Sequence, residues 1–568
     1  MFSCFKKKPL LQGVALAGFA LVLLSGLLFL SCSQPTDPTP IIVSISSPAE
    51  IRRIGADAHY PLSATYILGN DVMLTDWVPI GDEKKPFTGV FEGGGNTITL
   101  TSFDPALVTT KSHLGIFGYV RGTASAKAQI KNLNVVSSID ATSLSTTTGH
   151  AVGLVVGMAE LTVIDNVTLS GTFSFYSTRT CYVGGVAGVI SGDGAVIKNT
   201  TSTLTMDISP GVGGQLIKTN GVLAYSYIGG IVGLFQLRAG IENCHTRGDI
   251  TADNVRNTAS GQVFVGGITG GSPYAFHTDA HGYIHDSSFT DGTIRGVAKG
   301  FWSWVGGIAG NITGGTVNDK NRTTRIERCF ATGTVSTEGT KSGYPYVGGI
   351  VGYNYYGALT SQSYFTGNVI TDSGLQDYAG GIAGYNSQTT APYNSRIEDC
   401  WSGGSVTGYR NAGGIVGQNQ VNTYIRRCYS IAAVKATNSS GFGVDGSGFG
   451  VGGIAGLNAS TLLDAITSSV ALNLSITAAA GNNVNRVIGS SAGVSSKNYA
   501  LSTLVPTTSD IYTEDKGLGK SGGEDIPDEF ISGGKPTQEF YETVLGWDFF
   551  TVWKMGADGY PNLQWQQE

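Results

Sequence analysis

Three of the seven histidines in this 568-residue chain, His277, His281 and His285, fall in one nine-residue stretch, HTDAHGYIH, beside Asp279 and Asp286. Imidazoles and carboxylates crowded in this way are the residue types that hold zinc or another transition metal. Zinc hydrolysis also needs them aligned, with two histidines one helical turn apart and a glutamate between as general base, H-E-x-x-H. That motif is absent, and Gly282 with the loop-like flanks argues against a helix; solvated loop histidines are the better reading. Glycan cleavage needs acid and base carboxylates converging on one groove. Here Glu242, Glu327 and Glu398 recur singly, at one position of a repeated phrase, and Asp286 and Asp399 have no obvious partner. No G-x-S-x-G elbow, P-loop or dinucleotide fingerprint stands out among 83 glycines. The residues predict no catalytic centre, no resident metal and no cofactor.

Binding chemistry is easier to find. Trp302 and Trp304 precede one glycine-rich phrase, Tyr344 and Tyr346 precede the next, and Tyr355 and Tyr356 follow it. Exposed rings suit stacking on sugars or docking a protein. The competing reading is core packing, with alternate rings such as Trp304 and Tyr346 pointing inward.

What positions these residues is a repeat. Eight copies of Gly-Gly-[Ile/Val]-x-Gly follow Val183, Ile228, Val265, Val305, Val347, Ala379, Ala412 and Val451, spaced 32 to 45 residues apart. Looser relatives begin at Gly115 and Val152. Between them runs a second phrase: IENCHTRGDI from Ile241, IERCFATGTV from Ile326, IEDCWSGGSV from Ile397 and IRRCYSIAAV from Ile425, with degenerate forms from Ile197, Ser287 and Ser363. Each repeat offers three short β-type runs separated by polar loops. A lone coil of this kind cannot bury its inner face, whereas stacked coils share one core and a full hydrogen-bond ladder. The expected fold is all-β: a single-stranded right-handed parallel β-helix with terminal caps. Cys244, Cys329, Cys400 and Cys428 share one position, which Ser288 and Ser363 fill elsewhere. Inward thiols acting as small hydrophobes are the preferred reading. Cys400 and Cys428 fall in successive repeats, near the edge of disulfide geometry, and their pairing stays open.

These phrases resemble the GLUG-motif repeat family of large bacterial surface proteins, which also occurs beside the catalytic part of immunoglobulin-A-cleaving metallopeptidases. Tyr66 to Asp82 and Phe87 to Leu100 look like its opening, with Glu92, Gly94 and Asn96 where Asp, Asn and His are more usual. Leu545 to Trp565 looks like its closing segment. The resemblance implies a scaffold and no particular activity.

The ends imply export. Lys6, Lys7 and Lys8 precede an apolar run from Leu10 to Leu30, then Phe29-Leu30-Ser31-Cys32 and a Ser/Pro/Thr stretch. This resembles a lipoprotein signal with Cys32 as the acylated residue; an uncleaved anchor is the alternative. Domain boundaries follow: signal 1–31, lipid-anchored tether 32–45, N-terminal cap and first coils 46–110, repeats 111–505, and a linker with an aromatic C-terminal cap over 506–568. Ser47, Pro48 and Glu50 write a helix start, with Ile51 and Ile54 placed to cover the first coil. Charged residues are only 13% and net charge is −6, which excludes a basic nucleic-acid face. The functional expectation is a non-catalytic envelope lipoprotein, outer-membrane and surface-exposed, held to the membrane through Cys32. Its partner is a glycan or host surface protein. The alternatives are a polysaccharide lyase or hydrolase and a purely structural spacer.

Overall fold

One repeat becomes one rung. Gly240–Arg247 and Ile250–Asp253 lie in a broad floor sheet, Gln262–Gly266 precedes the glycine corner, and Thr269–Gly271 follows it. The computed structural model describes residues 41–108, 112–144, 149–211, 225–254, 261–273, 282–298, 302–315, 323–337, 344–372, 377–388, 393–438, 449–479, 483–493, 495–508 and 515–567. The signal segment and Cys32 lie outside them. The floor sheet holds 32 strands, and the pre-glycine and post-glycine sheets hold 11 each. Pairing from rung to rung is parallel throughout, so the all-β parallel β-helix expected from the repeats is the fold. Residues 42–568 form one compact unit. Ile42–Ile45, assigned by sequence to the tether, is already its first strand, paired with Thr65–Leu68. Among the described residues no helix is long and apolar enough to cross a membrane.

Register stacks like on like. One interior column runs Ile197, Ile241, Ile284, Ile326, Thr360, Ile397, Ile425, Ile466. Another runs Val183, Ile228, Val265, Val305, Val347, Ala379, Ala412, Val451. All of these apolar side chains belong to one continuous buried core.

The paired glycines are a consequence of that stacking. A Cβ on the second glycine would lie 2.3 Å (Gly230), 2.1 Å (Gly307) or 2.0 Å (Gly414) from the carbonyl oxygen of the equivalent residue one rung on. No real Cβ comes so close. Glycine permits this approach. Larger residues hold the position only towards the two ends, Ile116 and Leu154 in the first rungs and Arg486 in the last. Above Arg486 the chain segment 515–525 continues the stack, with Ser521 O accepting from Val487 N and Ile488 N at 3.3 and 2.9 Å. The fully buried Arg486 guanidinium ties that segment down, donating to the carbonyls of Gly522, Gly523 and Leu501 and pairing with Asp525 at 2.5 Å.

A second corner was not anticipated. The third residue of each Ile-x-x-Cys phrase is left-handed. Asn132, Asn166, Asn199, Asn243, Asp286, Arg328, Gln362, Asp399, Arg427, Ser468 and Lys497 all have φ between 45° and 55°. This conformation costs most residues about 1–2 kcal/mol and Asn or Asp less. In the first rungs asparagine takes it, and the amides bond from rung to rung: Asn166 Nδ2 to Asn132 Oδ1 at 2.8 Å, Asn243 Nδ2 to Asn199 Oδ1 at 2.9 Å. A second, fully buried asparagine ladder runs Asn354, Asn386, Asn419, Asn458, with Nδ2 to Oδ1 distances of 2.8, 2.9 and 3.1 Å.

Both chain ends cover the stack. Pro48–Ile51 is helical, Ser47 Oγ accepts from Glu50 N, and Ile51 and Ile54 are buried, as the sequence indicates. The aromatic C-terminal segment differs from the expected end cap. It runs along the flank of the floor sheet, over the ring column Phe330, Tyr364, Trp401, Tyr429. Trp565 donates to Gln362 O, Trp553 to Asp399 Oδ1 and Trp547 to Ser468 O, while Tyr429 donates back to Pro561 O. These anchors fall on successive rungs, so the segment is a side strap.

Candidate binding surfaces

The residue before each inward Val or Ala of the glycine phrase must point away from the main core, because side chains alternate along a strand. At this position stand Tyr182, Tyr227, Phe264, Trp304, Tyr346 and Tyr378. Register stacks them: Tyr227–Phe264 at 4.7 Å and 14°, Phe264–Trp304 at 4.2 Å and 12°, Tyr346–Tyr378 at 5.3 Å and 10°. Trp304 and Tyr346 are therefore not inward, as core packing had required. They belong to a second hydrophobic cluster, separate from the core.

Five of the six residues of the sequence-derived patch belong to this cluster, and Tyr344 adjoins it through Trp302. Trp302 lies 5.8 Å from Trp304 and 5.9 Å from Tyr344. Tyr353 bridges Tyr346 and Tyr355, and Tyr355 leads to Tyr356. Within the patch, Trp304, Tyr355 and Tyr356 are buried, while Trp302, Tyr344 and Tyr346 keep part of their surface in water. Ring faces in the ladder are taken up by neighbouring rings and most of its members are buried, so the patch's accessible aromatic surface is that of Trp302, Tyr344 and Tyr346. Tyr182, Tyr227, Phe264, Tyr378 (stacked on Tyr346), Tyr385 and Tyr393 also line this flank and were missed. Their signal, for the first four, was an aromatic directly before each Val/Ile/Ala-Gly-Gly.

On the polar outer face of the floor sheet, charged side chains pair from rung to rung. Glu242, Glu327 and Glu398 do not form a plain acidic column. Up the same column run Glu92, Lys131, Asp165, Lys198, Glu242, His285 and Glu327, with charge alternating as far as Glu242 and ion pairs of 3.5 Å (Lys131–Glu92) and 3.5 Å (Lys198–Asp165). Each such pair is worth about 0–1 kcal/mol, yet a one-rung slip would oppose like charges. Asp286 and Asp399 do have partners, namely the corner arginines of the next rung: Arg328 at 2.7 and 2.9 Å, Arg427 at 2.7 and 2.8 Å.

His277 and His281 lie outside the described residues. His285 ends the strand Tyr283–His285, and its Nε2 accepts from Arg325 Nε at 3.0 Å. Burial, then the Arg325 and Arg328 cations, push it down to about 4, so it is neutral at physiological pH. Its Nε2 lone pair is engaged by the guanidinium. Among the described residues no group of three His, Cys, Asp or Glu is placed to hold a metal.

One arrangement has the order of a nucleophile, base and orienter. Ser288 Oγ lies 2.8 Å from His245 Nδ1, and His245 Nε2 lies 2.9 Å from Asn243 Oδ1. Acyl transfer would need an accessible Oγ and free N–H donors beside it. Ser288 is only 3% exposed, and its strand is paired on both sides, to His245 and to Phe330. The contact joins two rungs. The register also moves the serine that substitutes for cysteine by one residue: Ser287, not Ser288, stands in the Cys244–Cys329 column. Beside the N-terminal helix lies a cleft of about 400 Å³, lined by Ile54, Leu62, Val78, Pro79 and Ile80 with Arg52 and Lys85.

Comparison with known proteins agrees with the repeat reading. The GLUG motif matches residues 343–370, which hold the Val347 glycine phrase and the rung that follows it. Halomucin of Haloquadratum walsbyi is 28% identical over 223 residues, 37% of this chain, and the match spans 2% of halomucin. A solved Bacteroides ovatus structure, provisionally described as an immunoglobulin A1 protease, aligns over 94% of both chains at 14% identity with a TM-score of 0.25, an overlap on which no argument is built.

Proposed function

We propose that this GLUG-motif chain is a cell-envelope lipoprotein, anchored through Cys32, that displays a β-helical rod for adhesion or for binding a glycan or host protein, without catalysis. The observation that carries the reading is the disposition of the outer side chains. Partly exposed rings (Trp302, Tyr344, Tyr346) gather on one flank, while Asp286, Asp399 and His285 of the floor face are each engaged by an arginine of the next rung. A stack of 11 rungs fixes its loops at intervals of about 4.8 Å. Many weak contacts in a fixed row bind by multivalency, and no reacting group is needed. The likeness to halomucin supports a place at the cell surface or envelope.

Two measurements test this. Protease added to intact cells should remove the rod, and the acylated Cys32 peptide should remain with the membrane. The soluble form from Ser33 should bind members of a glycan and host-matrix array, and Trp302→Ala with Tyr344→Ala should abolish that binding while leaving circular dichroism unchanged. Complete protection of the rod on intact cells would remove adhesion. A silent array on a shaved protein would favour the structural spacer, and hydrolysis or elimination of an arrayed polysaccharide would favour the enzyme.

A further inference from the structure

The five described cysteines are all buried thiols in the structure. Four of them occupy one interior column, whose register reads Thr200, Cys244, Ser287, Cys329, Ser363, Cys400, Cys428, Ser469. Cys244 has Thr200 and Ser287 as its neighbours, and Cys329 has Ser287 and Ser363. Cys181, in a different column, pairs with His150 and donates its amide to Ser226. Among the described residues cysteines occupy successive rungs at one place: Cys400 and Cys428, fixed by the pairing of Trp401 with Tyr429.

Equivalent residues of adjacent strands lie about 4.8 Å apart. A disulfide accepts Cα separations of roughly 4.4–6.8 Å. Both side chains point into the same interior column, and the two thiols are close enough to interact directly. The flanking pairs hold the same two rungs together. Asp399 and Arg427 make a bidentate pair just before the cysteines, and Trp401 and Tyr429 stack at 5.6 Å and 5° just after them. The strap is anchored on the same rungs, through Trp553 to Asp399, Gln566 to Trp401 and Pro561 to Tyr429.

We propose that Cys400 and Cys428 form a rung-to-rung disulfide in the exported protein, an oxidative staple beneath the strap's seat. Its chemistry is thiol–disulfide exchange. The Cys400 thiolate attacks a donor disulfide R–S–S–R and expels one R–S⁻. The Cys428 thiolate then attacks the mixed disulfide and expels the second. Two protein thiols become one S–S bond, two electrons pass to the donor, and two R–SH are formed. Once folded, the thiols are inert: burial and the adjoining Cys428 thiol hold Cys400 far above the usual thiol range. Oxidation therefore accompanies folding.

The test counts thiols. Protein secreted with its own signal is denatured in N-ethylmaleimide without reductant and mapped by mass spectrometry. Three of the five body cysteines, 181, 244 and 329, should be alkylated, and one peptide pair should carry the Cys400–Cys428 link. A parallel sample refolded from urea with glutathione disulfide should form the same link, which separates the geometry from the export on which the envelope reading rests. In Cys400→Ser, a change the column already accommodates at Ser363, Cys428 should become alkylated while the other three are unaltered. Five alkylated cysteines in the refolded sample, or a link joining any other pair, overturns the proposal.

Discussion

Gly349→Ala is the most direct challenge to the stacked-glycine corner. The new Cβ would stand 2.1 Å from Gly381 O and 2.2 Å from Phe365 Cγ. Relief requires the next rung to move away by about 1 Å, against an inter-strand spacing of about 4.8 Å. Three hydrogen bonds hold that corner: Gly349 N to Gly380 O at 3.0 Å, Ile350 N to Ile382 O at 3.0 Å and Val351 N to Ile382 O at 2.9 Å. Each buried group left without a partner costs about 1–3 kcal/mol. Losing two of these bonds leaves two N–H groups without partners and destabilises the neighbouring rungs by about 2–6 kcal/mol. A repeat stack need not unfold in one step, so the assay is amide hydrogen exchange. Protection should fall most in residues 344–355 and 377–388, together with an earlier urea midpoint. Gly519→Ala is the control, since its nearest neighbour is Ser495 O at 3.5 Å; it should change stability by less than about 0.5 kcal/mol. If the two variants show the same protection and midpoint, the close approach does not explain the repeated glycine pair.

Three further outcomes follow from buried groups. Asp377 is wholly buried, accepts from Thr371 Oγ1 and Tyr409 N at 2.6 Å each, and is pushed up by burial from 3.8 to about 6. Its native form holds a proton that the unfolded chain releases between those values, so its contribution to stability falls as pH rises through that window. Asp377→Asn should therefore stabilise the protein at pH 7.5, by about 3 kcal/mol at most, and give no gain at pH 3.5; a loss of stability at pH 7.5 in urea titration refutes this. Trp304→Ala removes a ring stacked at 4.2 Å on Phe264 and at 6.0 Å on Tyr346. It should cost about 3–5 kcal/mol, whereas a change under about 1 kcal/mol would show that the ladder is not packed. Asn386→Ala removes the bonds to Asn354 and Asn419 and should cost about 1–3 kcal/mol; an unchanged melting curve would rule the buried ladder out as a source of register.

The interior was legible because it obeys rules local to one repeat. Inward Ile241 beside outward Glu242 stands in plain sight, the recurring Cys244 position reads as interior, and Ser47-Pro48 announces its helix. The outer face was not legible in the same way, because the partner of each side chain stands one rung away, at a variable distance in sequence. Asp286 lacks a partner until register brings Arg328 beside it. Glu242 looks like one of a row of acids until Lys198 and His285 are placed below and above it. Variable loops also allow a slip of one residue, which is how Ser288 was taken for Ser287. The strap was misplaced for a related reason: tryptophans at 547, 553 and 565 declare a hydrophobic partner without saying whether it is an end or a flank.

The display reading needs every repeat to be one rung in unbroken register, and a single distance can test that. Thr251 and Lys435 share an outward column through Arg295, Ser336, Ile370 and Thr407. Spin labels on cysteines placed at these two positions should lie about 24 Å apart, five strand spacings of about 4.8 Å, with a narrow distribution. A broad distribution centred beyond about 40 Å, as for repeats folded into separate globules, would contradict the stack and the function built on it.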